Sequence, residues 1–173
     1  MCHRCAPAPC DAVAFALDGI PAFALGAYDG ALRQAVVAMK NGQRDPLDAF
    51  AELLAARAPL DGVLVALPTS RARRANRGFD QSIELARRLA ARRGIACAEL
   101  LEKRGAAQEG RGRRERLAAA GRFRLCGGAR LPSAVTLLDD VCTTGATARD
   151  AARVLRAAGA DIRGIVVVAR SGD

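Results

Sequence analysis

Two apolar runs, AVTLLDD (134–140) and IRGIVVVAR (162–170), stand on either side of a helical pattern, ATARDAARVLRAAGA (146–160). Each run is too continuous for a strand with one wet face, so each is predicted as a strand buried on both faces. A buried strand, a helix and a second buried strand close as a parallel pair with a right-handed crossover. A third run, GVLVALP (62–68), precedes an amphipathic helix, QSIELARRLAARRG (81–94), and a further strand, IACAELL (95–101), which repeats the scheme. The expected fold class is therefore α/β, a mostly parallel sheet with flanking helices.

Upstream, Tyr28, Leu32, Ala35, Val36 and Met39 fall on one face of a helix that ends near KNG. Asp45-Pro46 supplies an N-cap and a first-turn proline for a second helix, carried by Leu47, Phe50, Leu53, Leu54 and Arg57 to Pro59. Residues 1–27 are rich in cysteine, proline and alanine and show no period. They are predicted as a separate N-terminal cysteine-containing segment, with one domain over 28–173. Residues 103–121, rich in glycine and arginine and poor in apolar side chains, are predicted as a long mobile loop.

Charge is concentrated. Residues 71–93 and 103–124 each carry a net +6, and the rest of the chain carries −3. That pattern points to a polyanionic partner, against the plainer reading of two solvated arginine-rich faces. No run approaches the roughly 20 apolar residues of a membrane span, so none is expected. The first residues show no basic region followed by an apolar one, so no signal peptide is expected and a cytoplasmic location follows. In that compartment the six cysteines read as free thiols or metal ligands. Cys2-His-Arg-Cys5 has the spacing of one zinc-ligand pair, but zinc takes four ligands. Cys10 and His3 are the nearest others, and no complete zinc site is expected in this chain. Cys142, near a helix N-terminus, has a place that suggests a nucleophile but reads as packing; Cys97 and Cys126 read as core or strand residues.

The most informative stretch is TLLDDVCTTGAT (136–147). Its turn lies at the carboxyl end of a parallel strand and opens a helix, where backbone amides make an anion seat. Gly145 lets the chain approach a phosphate closely, and Thr143, Thr144 and Thr147 add hydroxyl donors around Ala146. Asp139 and Asp140 would repel that phosphate. They make sense if they accept hydrogen bonds from vicinal hydroxyls at the other end of the ligand. A ribose 5-phosphate derivative satisfies both halves.

LLDDVCTTGAT resembles the ribose-phosphate signature of type I phosphoribosyltransferases, which bind 5-phosphoribosyl 1-pyrophosphate (PRPP). YDGALRQAVVAMKNG, NRGFDQSIELARRLA, Gln108 and RERLAAAGRFRL, taken with that signature, are similar in order and spacing to the ComF (competence protein F) family. The resemblance implies a type I phosphoribosyltransferase-like fold, PRPP as ligand with Mg²⁺, and a connection with DNA uptake in transformation. It implies that Thr69, Arg71 and Arg77 lie by the pyrophosphate loop and that Lys103, Arg104 and Arg116 are phosphate-facing cations of the closing loop. Lys40 and Lys103, the chain's two lysines, both fall where the family has a basic residue. The chain departs from the family at Ala119, where an asparagine is usual, and in carrying one CxxC pair where ComF proteins commonly have two.

Two functions follow. One is phosphoribosyl transfer with release of pyrophosphate. The other is a PRPP- or nucleotide-binding accessory protein without turnover, whose arginines meet single-stranded DNA or a DNA-processing protein. The only histidine is His3, and no general base is evident.

Overall fold

The computed structural model describes residues 11–70, 74–75, 78–104 and 121–172. The expected zinc ligands Cys2 and Cys5, the basic residues Arg71, Arg77 and Arg116, and Ala119 lie outside the described residues.

A six-stranded sheet has the order β1-β2-β8-β7-β3-β4. Its strands are β1 (Val13–Leu17), β2 (Ile20–Ala27), β3 (Val63–Ala66), β4 (Cys97–Ala98), β7 (Ala134–Cys142) and β8 (Asp161–Arg170). All neighbours are parallel except β1, which is antiparallel to β2. A separate antiparallel hairpin joins β5 (Leu101–Lys103) to β6 (Phe123–Leu125). The run predicted as a single strand over 95–101 therefore divides, with β4 at the sheet edge and β5 starting the hairpin. The expected boundary at 27/28 does not separate one unit from another, because β2 pairs with β8 from Ala22 to Ala27.

Side chains alternate across the central strands, and each set faces its own helices. Leu64, Ala66, Leu138, Val166 and Val168 pack with α1 (Gly30–Lys40), α2 (Asp45–Arg57) and α3 (Gln81–Arg93). Val65, Leu67, Leu137, Ile165 and Val167 pack with α4 (Ala146–Ala157) and with Leu101 and Phe123 of the hairpin. Leu47, Phe50, Ala51 and Leu54 of α2 are completely buried, a stripe at helical spacing. This helix is capped by Arg44, one residue before the expected Asp45, with Pro46 in its first turn. Helix α3 begins at Asp80, whose carboxylate accepts a hydrogen bond from Ile83 N, and stops at Gly94 in the left-handed region (φ 62°).

From β7 the chain crosses through α4 to β8, and from β3 through α3 to β4. The two crossovers leave adjacent strands in opposite directions and cover opposite faces. The carboxyl ends of β7 and β3 thus form a topological switch point, where open α/β sheets leave a crevice.

No helix among the described residues is long and apolar enough to cross a membrane.

Candidate functional site

The crevice at this switch point holds two adjoining cavities of about 150 and 340 Å³, which share Asp139, Val141 and Thr147. The smaller lies over the turn 143–147 and reaches Arg122. The larger is bounded by Thr69 after β3, Ser82 on α3, Lys40 at the end of α1 and Lys103 at the end of β5. Thr69, Lys103, Asp139, Asp140 and the turn, far apart in sequence, are brought together. Arg104 lines neither cavity; its N–H donates to Arg122 O at 2.8 Å.

Register sets the carboxylates. Leu138 pairs with Ala66, and Leu67 N donates to Leu138 O at 2.9 Å, so β3 gives way to its loop level with Asp139. Asp139 Oδ1 accepts from Asp140 N at 2.8 Å and lies 3.3 Å from Ser82 Oγ. Asp140 Oδ1 accepts from Val141 N at 2.6 Å, while Oδ2 meets Lys40 Nζ at 3.0 Å. Burial, and then the negative charge of Asp140, push Asp139 up to about 7; the Asp140 amide and the charges of Lys103 and Lys40 act in the opposite sense.

This shift has a testable sign. The folded-state value lies above the usual carboxylate value of 3.8. The folded state therefore holds a proton that the unfolded chain has already lost. Stability from this group declines as pH rises from about 4 to about 7 and changes no further above that. At about 1.4 kcal/mol per unit, the decline is a few kcal/mol at most. Asp139→Asn should remove it, gaining on the wild type in chemical-denaturation midpoints between pH 4 and pH 8. An equal difference between the two proteins at both pH values would contradict the assignment.

The turn is supported from behind. Gly145 is buried and left-handed (φ 75°), and a Cβ there would lie 2.8 and 2.9 Å from the two Leu17 methyls. From sequence, this glycine is expected to serve close phosphate approach. In the structure a side chain at this position would point at Leu17 of β1. Arg149 Nε sits 3.0 Å from Asp18 Oδ1 in the β1–β2 turn, and Arg149 Nη1 donates to Thr144 O at 2.5 Å. Thr143 and Thr144 are exposed. The first helical amides, from Ala146 on, have no carbonyl of their own helix to bond.

Asp80 organises the other wall. It is 6% exposed and accepts from Thr69 N at 2.8 Å and Ile83 N at 3.4 Å, tying the β3 loop to the start of α3. Sequence reasoning assigned no site role to Asp80, Ser82 or Arg122, because nothing local marks them. Lys40 had a signal, its rarity in a lysine-poor chain, but no partner until the fold supplied Asp140.

Cys142 is 5% exposed, and burial raises its thiol above the ordinary value, as suits packing rather than nucleophilic attack. Of the first basic segment, Arg88 and Arg92 pair with Asp48, Arg88 also with Glu84, and Arg87 with Glu99. These charges belong to the protein's own surface network.

No family model matches the chain. It is similar to the competence protein ComFC of Streptococcus pneumoniae, 38% identical over 97 residues, which is 56% of this chain and 42% of that protein. The match thus spans less than half the length of the curated relative. Similar solved structures include the glutamine PRPP amidotransferase of B. subtilis, complexed with ADP and GMP (23% identity, 69% of this chain and 25% of that one, TM-score 0.49). Another is the adenine phosphoribosyltransferase of Leishmania tarentolae (17% identity, 86% of this chain and 78% of that one, TM-score 0.48). Over those 97 residues the chain is similar to a ComF protein, and its own architecture is a mostly parallel six-stranded sheet with helices on both faces.

Proposed function

We propose that this ComF relative binds PRPP or another ribose 5-phosphate derivative and transfers its phosphoribosyl group to an acceptor, releasing pyrophosphate. The observation that carries this is the continuity of one crevice from a carboxylate pair to a helix-opening turn, at the switch point of a parallel sheet. Asp139 and Asp140 accept hydrogen bonds from the ribose hydroxyls, and the 143–147 turn receives the 5′-phosphate. Thr69, Lys40 and Lys103 flank the other end of the crevice, where pyrophosphate lies. In the reaction the acceptor's lone pair forms a bond to C1 as the C1–O bond to pyrophosphate breaks. Pyrophosphate leaves with that electron pair, and the acceptor's proton passes to it or to water. The chain's contribution is positioning and charge complementarity.

Among the described residues no three His, Cys, Asp or Glu side chains could together hold a metal ion. Two carboxylates beside a phosphate-binding crevice do suit Mg²⁺, which rests on substrate oxygens and few protein ligands. Bound that way, it would offset charge on the pyrophosphate. Asp139 and Asp140 are the residues within reach.

Calorimetric titration with Mg²⁺-PRPP tests the binding. A screen of nucleobases and amines with PRPP, read as pyrophosphate release, tests the transfer. No heat at millimolar PRPP would overturn the whole reading. Binding without pyrophosphate from any acceptor would favour the accessory role, in which the chain meets single-stranded DNA or a DNA-processing protein. That role is supported by the name of the ComFC relative and by the arginine-rich segments. Arg87, Arg88, Arg92 and Arg124 already pair with acids, and aromatic residues make up only 3% of the chain. Any DNA binding is therefore expected to be sequence-independent and lost at moderate salt. Tight binding unchanged from about 50 to about 500 mM salt would contradict that. A cytoplasmic place is supported by the free thiols of Cys97, Cys126 and Cys142. Recovery of the protein from an oxidising compartment would refute it.

A further inference from the structure

We infer that Arg122 is a ligand of the 5′-phosphate and gives the crevice its preference for phosphorylated riboses. The inference rests on reading the 143–147 turn as the phosphate seat. Arg122 lines the smaller cavity opposite that turn and donates from Nη1 to Thr147 Oγ1 at 3.1 Å. A seat of backbone amides and hydroxyls is neutral, and a guanidinium beside it supplies a full charge and a planar pair of donors suited to phosphate.

The backbone bearing Arg122 is fixed to the helix that bears the turn. Asp150 Oδ2, on α4, accepts from Arg122 N at 2.6 Å and from Phe123 N at 3.0 Å. Gly121 makes that approach possible. It is left-handed (φ 79°), and a Cβ there would lie 2.5 Å from Asp150 Oδ1 and collide with the Arg153 guanidinium. Phe123, 1% exposed, anchors the other side in the core. The two halves of the seat are thus held on one rigid body. The side chain of Arg122 itself is exposed and spends its contact on a single threonine hydroxyl, which a phosphate oxygen can replace.

The test titrates wild type, Arg122→Gln and Arg122→Lys with ribose 5-phosphate, with pyrophosphate and with Mg²⁺-PRPP, and melts each protein. The Gln variant is expected to lose about 10-fold or more in affinity for ribose 5-phosphate, the worth of one charge-assisted contact. It should keep wild-type affinity for pyrophosphate and melt as the wild type does. The Lys variant should recover a fraction of the loss. Unchanged ribose 5-phosphate affinity in Arg122→Gln would overturn the inference, and so would an equal loss for both ligands or a lowered melting temperature. Wild type that binds ribose 5-phosphate but not PRPP would sink the transfer reading while leaving this assignment to be judged by the variants. Wild type that binds neither phosphate ester would remove both.

Discussion

Gly145→Val is expected to lose PRPP and ribose 5-phosphate binding together and to melt well below the wild type. The turn holds Gly145 at φ 75°, a conformation that costs ordinary residues about 1–2 kcal/mol and a β-branched residue more. The new side chain also points at Leu17, itself 8% exposed and packed in the core, so neither can move aside freely. Relief comes by shifting the turn, which takes the proposed anion seat with it. Gly145→Ala should show the same two effects in milder form. Thermal melts beside ribose 5-phosphate titrations check this. A valine variant that melts like wild type yet binds nothing would mean that the side chain blocks the phosphate directly, contrary to the geometry.

Asp140→Asn is expected to weaken PRPP by about 10-fold or more with little change in stability. An amide keeps the Val141 N bond at Oδ1 but is a poorer acceptor for a ribose hydroxyl, and a hydrogen bond to a charged group is worth about 1.5–3 kcal/mol. On the stability side two effects oppose. The pair with Lys40 is lost, though Lys40 is 29% exposed and can rehydrate, so that loss is at most about 1 kcal/mol. Asp139 is at the same time freed of a like charge and becomes a stronger acid. Calorimetry with Mg²⁺-PRPP and parallel melts separate the two readings. A variant that binds PRPP as well as wild type while melting lower would make Asp140 a structural residue whose partner is Lys40.

The buried parallel strands were legible because both faces are covered, which leaves runs such as TLLDD and GIVVVA that no half-wet strand or amphipathic helix produces. The acid pair and the turn were legible because their chemistry is contiguous. The first two strands were not, since their alternation is written in alanine, VAFAL and IPAFALGA, and alanine contrasts weakly with either environment. The cue that was there is Asp18-Gly19 between them, a strong hairpin signal. The hairpin of β5 and β6 had no local turn to announce it, because its strands are separated by 19 residues of unpatterned chain between Lys103 and Phe123. Arg122 and Ser82 reach the crevice only through topology. Their neighbours in sequence say nothing about where Thr147 or Asp139 will be.

The place of β8 in the sheet has a consequence for synthesis and folding. It lies between β2 and β7, so the N-terminal hairpin has no seat in the sheet until residues 161–170 exist. On a ribosome, β3, β7 and α4 can collapse early, but β1 and β2 must wait for a partner strand whose residues, such as Ile165 opposite Ala22, are made 143 residues later. Such distant pairing is slow, because loop closure precedes any reward from contact. Leu17 can settle behind Gly145 only after that pairing, so the turn gains its backing at the close of assembly, and a chain halted before β8 would carry every residue of the proposed phosphate seat without its support.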